Sequence, residues 1–223
     1  MSRFDAARFE AVLFDLDGTL LDSIALILES YRHTLAAHGL PARSDEDVLS
    51  GLGTPLEAQF RRWVGEEAEH AETVQALVDT YIAHNLDVHD RFVKPYPGVT
   101  ELVRRLSGTP VAVVTSKRRR GTEMGLRALG LHDVFEILVC ADDVERPKPH
   151  PEPVQRALRF LGTDPAKTVF VGDAVHDVEA GKAAGVRTVA VTWGAGRREE
   201  LERSRPDVMS DDADALARFL FGR

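Results

Sequence analysis

The sequence predicts an α/β fold: a parallel sheet with helices on both faces, interrupted near its start by an α-helical insert. Three observations carry that prediction. Short apolar runs bounded by polar turns recur along the chain, helical patterns separate these runs from residue 94 onward, and residues 20–93 hold helical patterns with no convincing strand. Alternating strands and helices is the pattern of a parallel sheet, because each strand needs a crossover helix to return and the helices then cover both faces.

The elements follow in order. Ala11-Val12-Leu13-Phe14-Asp15 reads as a buried strand. In the insert, Ile24, Ile27, Leu28, Tyr31 and Leu35 fall on one helical stripe, ended by Gly39 and Pro41, and Val74, Leu77, Val78, Tyr81 and Ile82 fall on another. Between them, Ser44 with Asp47 and Thr54-Pro55 with Glu57 are capping signatures for two further helices. Lys94-Pro95-Tyr96-Pro97-Gly98 is the expected return hinge, since two prolines stiffen it and a glycine punctuates it. Strands are then expected at 111–115, 168–172 and 187–192, with a weaker one at 137–140, and helices at 98–107, 118–129, 151–161 and 175–184. This divides the chain into a core, residues 1–19 and 94–223, and a helical cap, residues 20–93.

Bulk properties narrow the function. With 223 residues and 43% hydrophobic content the chain can bury a full core, and a net charge of -8 offers no footprint for nucleic acid or an anionic membrane surface. The one basic run, Lys117 to Arg120, reads as solvated. No apolar segment approaches the roughly 20 residues of a membrane helix, and Met1-Ser2-Arg3-Phe4-Asp5 lacks the features of a signal peptide, so a cytoplasmic protein is expected. The single cysteine, Cys140, excludes an internal disulfide framework and a cysteine zinc cluster and reads as a small buried hydrophobe.

Four segments carry candidate chemistry. Asp15 and Asp17 flank Leu16 at the end of the first strand, and continued extended geometry would point both carboxylates the same way. A divalent cation, or a proton held through a raised pKa, would relieve their repulsion. Gly18 then allows close backbone approach to a ligand, and Thr19 offers a hydroxyl. The second strand end, Thr115-Ser116-Lys117, places hydroxyls before a cation and suits an oxyanion; the plain alternative is a polar turn. In Arg146-Pro147-Lys148-Pro149-His150-Pro151 the flanking prolines restrain Lys148, as suits a catalytic cation, although a surface loop is the simpler reading. Finally, Val169-Phe170-Val171-Gly172-Asp173 ends in an aspartate that could also serve as a helix N-cap, with Asp177 four residues on. Hard oxygen ligands without a cysteine or histidine cluster point to magnesium rather than zinc.

These four segments, in this chain order, resemble the haloacid dehalogenase superfamily, in its phosphoglycolate-phosphatase-like branch with a helical cap. The resemblance spans nearly the whole chain. It implies a Rossmann-like core and a magnesium-dependent phosphohydrolase. It assigns Asp15 as the nucleophile that becomes an aspartyl-phosphate, and Asp17 as the acid and then base. Thr115 would hydrogen-bond the phosphoryl group and Lys148 balance charge. Magnesium would be held by the Asp15 carboxylate, the Asp17 carbonyl and Asp173, with Asp177 a ligand or a partner of the ligands.

Substrate choice is read from weaker signals. In the cap, Ser50-Gly51-Leu52-Gly53-Thr54-Pro55 places two glycines before a helix start, able to present N–H groups to an anion or to serve as a flexible link. Candidate substrate contacts are thus Gly18, Thr19, Ser116, Gly51, Gly53 and Thr54. His84 and the His89-Asp90 pair are expected to be polar surface or a helix C-terminal charge rather than a metal site. Glu123-Met124-Gly125-Leu126, Asp142-Asp143-Val144-Glu145 and His89-Asp90 resemble the bacterial inorganic pyrophosphatases of this branch. Pyrophosphate is therefore the first expected substrate, with phosphoglycolate or another small phosphomonoester as the alternative. Asp17 and Asp173 argue against a metal-free dehalogenase, Gly172-Asp173 against a sugar-phosphate mutase, and the full set of catalytic groups against a binding module. The expected partner is a small phosphorylated substrate, with no nucleic acid and no membrane, in a monomer or homodimer.

Overall fold

The computed structural model describes residues 8–52, 54–64 and 71–222. Its central feature is a six-stranded parallel sheet built from β1 (Ala11–Phe14), β4 (Val111–Val114), β5 (Ile137–Val139), β6 (Thr168–Gly172), β7 (Arg187–Val191) and β8 (Val208–Ser210). The strand order is β5-β4-β1-β6-β7-β8, so β1 sits in the middle. Strand alternation divides its residues. Val12 and Phe14 join the cluster covered by α5 (Val99–Arg105), α6 (Arg119–Ala128) and α10 (Ala213–Phe221), whereas Leu13 joins the opposite cluster under α7 (Glu152–Leu161) and α8 (Val175–Ala184). Burial on both faces is why these strands read as unbroken apolar runs.

The insert forms α1 (Ile24–Ala37), α2 (Asp45–Leu49), α3 (Leu56–Val64) and α4 (Ala71–Phe92). The two stripes meet, with Ile27 and Tyr31 on Val74, Leu77 and Val78, and with Phe60 and Val48 completing an apolar cluster separate from those of the sheet. Ser44 caps α2 by accepting from the Asp47 N–H at 3.1 Å, but Asp47 does not complete the reciprocal box; its carboxylate lies near Arg43 and Arg62 instead. Thr54 donates its hydroxyl to the Gly51 carbonyl.

Two expectations need correction. The stretch from 20 onward does contain a strand: β2 (Leu21–Asp22) pairs antiparallel with β3 (Lys94–Pro95), so both crossings between core and insert run through one two-stranded ribbon. Two-residue strands held by backbone pairing leave no periodicity to read. The strand expectations also stopped at residue 192, whereas α9 (Arg198–Ser204), β8 and α10 extend the alternation to the end. Only Ser210 of β8 is fully buried, so this edge strand lacks an apolar run.

Candidate active site

Three neighbouring central strands, β4, β1 and β6, deliver their C-terminal ends to one place, the edge at which open parallel sheets bind ligands. Asp15 follows β1, and its N–H donates to the Val171 carbonyl of β6 at 2.9 Å, which fixes it between the strands. Its side chain is nearly buried. Extended geometry ends there: the Leu16 carbonyl accepts from the N–H groups of Thr19, Leu20 and Leu21, curling the chain into a turn. Gly18 adopts φ +80°, and a Cβ at that position would overlap the Asp173 carboxylate.

Asp17 lies in that turn, outside the tightest carboxylate grouping. The oxygens of Asp15, Asp173 and Asp177 lie within 4.8 Å of one another, a grouping able to hold a metal ion. The Asp17 carboxylate instead accepts from Lys117 Nζ at 3.0 and 3.1 Å. Lys148 Nζ sits beneath the group, donating to Asp177 Oδ1 at 2.6 Å and to the Val114 carbonyl at 3.2 Å. It also lies 3.1 Å from Asp15 Oδ1, close enough for an ion pair, yet that oxygen has no hydrogen-bond partner. Asp173 is not the N-cap of α8; Ala174 is. Asp177 reaches back from the first turn, its Oδ2 accepting from the Ala174 N–H at 3.0 Å.

The remaining expected residues fall on both sides of a cavity of about 1830 Å³. Gly18, Thr115, Ser116 and Lys117 line its core side and Gly51 and Thr54 its cap side. Gly53 lies outside the described residues. Thr19 is not among the lining residues; it is buried, and its hydroxyl donates to Asp173 Oδ1 at 3.2 Å. The Thr115 N–H donates to the Val139 carbonyl at 2.9 Å, and its hydroxyl oxygen accepts from the Lys117 N–H at 3.2 Å.

A family model described as "Haloacid dehalogenase-like hydrolase" matches residues 12–191. The chain belongs to that family. This haloacid dehalogenase-like hydrolase is 40% identical over 211 residues to "Pyrophosphatase PpaX" of Bacillus cereus, covering 94% of this chain and 95% of the relative. The Anoxybacillus flavithermus protein of the same name is 40% identical over 215 residues, covering 96% and 97%. A structure described as a predicted phosphoglycolate phosphatase from Haemophilus somnus superposes with a TM-score of 0.85 at 27% identity, covering 94% of this chain and 97% of that one.

The electrostatics of the hydrolase follow from its crowding. Burial, reinforced by Asp177 and Asp17 against the pull of Lys148, pushes the Asp15 carboxyl up to about 7. Burial, then Asp177 and Asp15, push Asp173 up to about 8, against the hydrogen bonds it accepts from Ala195 and Thr19. Burial by itself would lower the Lys148 ammonium, but Asp15 and Asp177 outweigh it and hold the group above its ordinary value.

Several residues were misplaced or missed by sequence reasoning. The Lys117–Arg120 run is not simply solvated: the Lys117 side chain is 11% exposed and grips Asp17, while Arg119 donates to Asp143 and to the Leu138 carbonyl. Lys117's position directly after two candidate hydroxyls was the available signal. His89 is fully buried rather than surface; its Nδ1 bonds Asp90 at 2.8 Å, and its Nε2 lies against Gly125 of α6. His84 stacks on His33 within the insert, and His176 lines the cavity. The loop after β7 also touches the site through Ala195, with no side-chain signature to announce it.

Proposed function

We propose that this hydrolase is a magnesium-dependent phosphohydrolase that works through an aspartyl-phosphate on Asp15, with inorganic pyrophosphate as its first-choice substrate. The observation that carries the reading is the charge balance of the buried group: three carboxylates lie together with one ammonium, which pairs with Asp15 and Asp177 and leaves Asp173 with neutral donors only. Buried charge of one sign is costly unless paired. A divalent cation on a donor set made only of hard oxygens fits that deficit, and magnesium suits such ligands.

Asp15 and Asp173, with the Asp17 carbonyl, would hold the ion, which supplies Lewis-acid stabilisation of phosphoryl oxygens and lowers repulsion between the nucleophile and its target. Asp177 pairs with the Lys148 ammonium, which already balances its charge, whereas Asp173 accepts only from neutral donors; this supports a role for Asp177 in holding Lys148 rather than in ligation. Asp15 attacks phosphorus, a carboxylate–phosphorus bond forms, and the bond to the leaving oxygen breaks while Asp17 protonates that oxygen. Asp17 then takes a proton from the water that attacks the acyl-phosphate, releasing phosphate and restoring Asp15. Thr115 and Ser116 would hold the equatorial oxygens, and positioning plus charge stabilisation is most of what phosphoryl transfer requires. The helical segment 20–93 acts as a cap that screens the reaction from water and reads the leaving group.

Lys117 holds the acid–base carboxylate in place. Lys117→Met is expected to lower kcat by roughly ten- to a hundredfold, a fraction of what removing an acid–base group costs, with fold and metal binding unchanged; steady-state kinetics with kcat at the wild-type level would remove Lys117 from this role.

A second reading, an organic phosphomonoester, is favoured by the cavity itself, which is lined on its cap side by Ile24, Leu49, Leu52 and Tyr81. These apolar side chains have no use for an inorganic diphosphate. A phosphate-release panel with magnesium, comparing pyrophosphate, phosphoglycolate, sugar phosphates and nucleotides by kcat/KM, separates the two. The expected result is a pyrophosphate value at least tenfold above the esters; parity or worse would reject pyrophosphate and leave the ester reading.

A further inference from the structure

We infer that the segment Trp193-Gly194-Ala195-Gly196, after β7, is a positioning strap that fixes the Asp173 carboxylate for the cation. The inference rests on the magnesium-dependent reading above. The Ala195 N–H donates to Asp173 Oδ2 at 2.9 Å, and the Thr19 hydroxyl donates to Oδ1 at 3.2 Å, so each carboxylate oxygen is anchored by one neutral donor. A carboxylate offers about four lone-pair sites, so anchoring two sets the plane of the group while leaving others for a ligand. Because the donors are neutral, they orient the charge without cancelling it, and the demand for a cation persists.

The strap can lie so close only because of its glycines. A Cβ on Gly194 would overlap Asp173 Oδ2 and the Gly18 carbonyl, and one on Gly196 would overlap the Asp173 carbonyl. The strap is tied down at its start as well. The Trp193 indole N–H donates to the Thr19 carbonyl at 3.0 Å, and its ring lies 6.3 Å from that of Tyr96, just after β3 in the crossing ribbon. Directly beyond it, Arg197 reaches within 3.7 Å of Glu46 on α2. The segment therefore touches the turn that carries Asp17, the Asp173 carboxylate and the ribbon side at Tyr96, and Arg197 directly after it reaches α2. Partners of metal ligands that fix ligand orientation typically change affinity by about 10–100-fold when lost.

The test is Mn2+ binding to metal-free protein, without substrate, by isothermal titration calorimetry, alongside thermal melts of the chelated protein. Gly194→Ala is expected to weaken Mn2+ binding by roughly tenfold or more, with recovery of kcat at saturating metal. Trp193→Phe, which keeps an aromatic ring but loses the indole N–H together with one of the two fused rings, is expected to weaken it severalfold while the chelated protein still folds cooperatively. Wild-type affinity in both variants would overturn the inference, as would a Gly194→Ala protein that melts earlier while its folded fraction binds Mn2+ normally. If Gly194→Ala does not fold, Trp193→Phe decides alone, and unchanged affinity there overturns the strap. A wild-type protein that binds no Mn2+ would instead sink the metal reading beneath it.

Discussion

Asp15→Asn is expected to cut phosphate release by roughly 10⁴-fold or more, on the scale seen when a covalent nucleophile is removed, while leaving the protein folded. The amide cannot attack phosphorus, and it is a poorer ligand than the carboxylate. Its effect on stability should run the other way. Burial raises the Asp15 carboxyl from 3.8 to about 7 in the folded chain. The folded state therefore binds this proton more tightly than the unfolded state, and stability falls as pH rises from about 4 toward 7. Asparagine has no such penalty. In chelator, the variant is expected to melt at or above the wild-type temperature at pH 8, with the gap closing near pH 4. Turnover retained by the variant would end the aspartyl-phosphate mechanism, and a variant that melts well below wild type at pH 8 would end the account of crowded charge.

Removing divalent metal is expected to abolish activity and to destabilise the protein together. Three buried carboxylates lie together and two of them share one lysine, and a cation that binds only the folded state adds about 2.7 kcal/mol at a hundredfold excess over Kd. For a chain of this size that is a rise of roughly 5–10 °C in Tm. Melts in EDTA and in millimolar magnesium, paired with phosphate release in the same buffers, check both. Full activity in EDTA would revive a metal-free mechanism, and restored activity without a shift in Tm would place the ion on the substrate rather than on the protein.

Most of the residues gathered at this sheet edge stood out in the sequence because each ends a contiguous apolar run or sits in a proline-bounded loop. Asp15 follows Phe14, Thr115 follows Val114, Asp173 follows Gly172, and Lys148 lies between two prolines. Such patterns are local, and local patterns survive in one dimension. What escaped was contact between distant segments. The pairing of Lys117 with Asp17 joins residues far apart in the chain, and the Ala195 N–H that anchors Asp173 belongs to a backbone group every residue but proline possesses. The curl at Leu16 depends on one carbonyl accepting three N–H groups, a matter of turn geometry rather than residue type. His89 was misread for a similar reason: helical position placed it near a surface end, and only docking of α4 on α6 buried it.

The central place of β1 bears on how the molecule is made. Val12 pairs with Val111 on one side and Val169 on the other, so the first strand synthesised waits for partners that emerge much later. Pairings so distant in sequence slow folding and leave an apolar strand with two open edges in the meantime. A ribosome-bound or truncated chain ending before β6 would thus contain Asp15 and Lys148 but lack Asp173 and Asp177. The second partner of β1 and the carboxylates of Asp173 and Asp177 arrive on the same stretch of chain, so the proposed site can form only as the central strand gains its second neighbour.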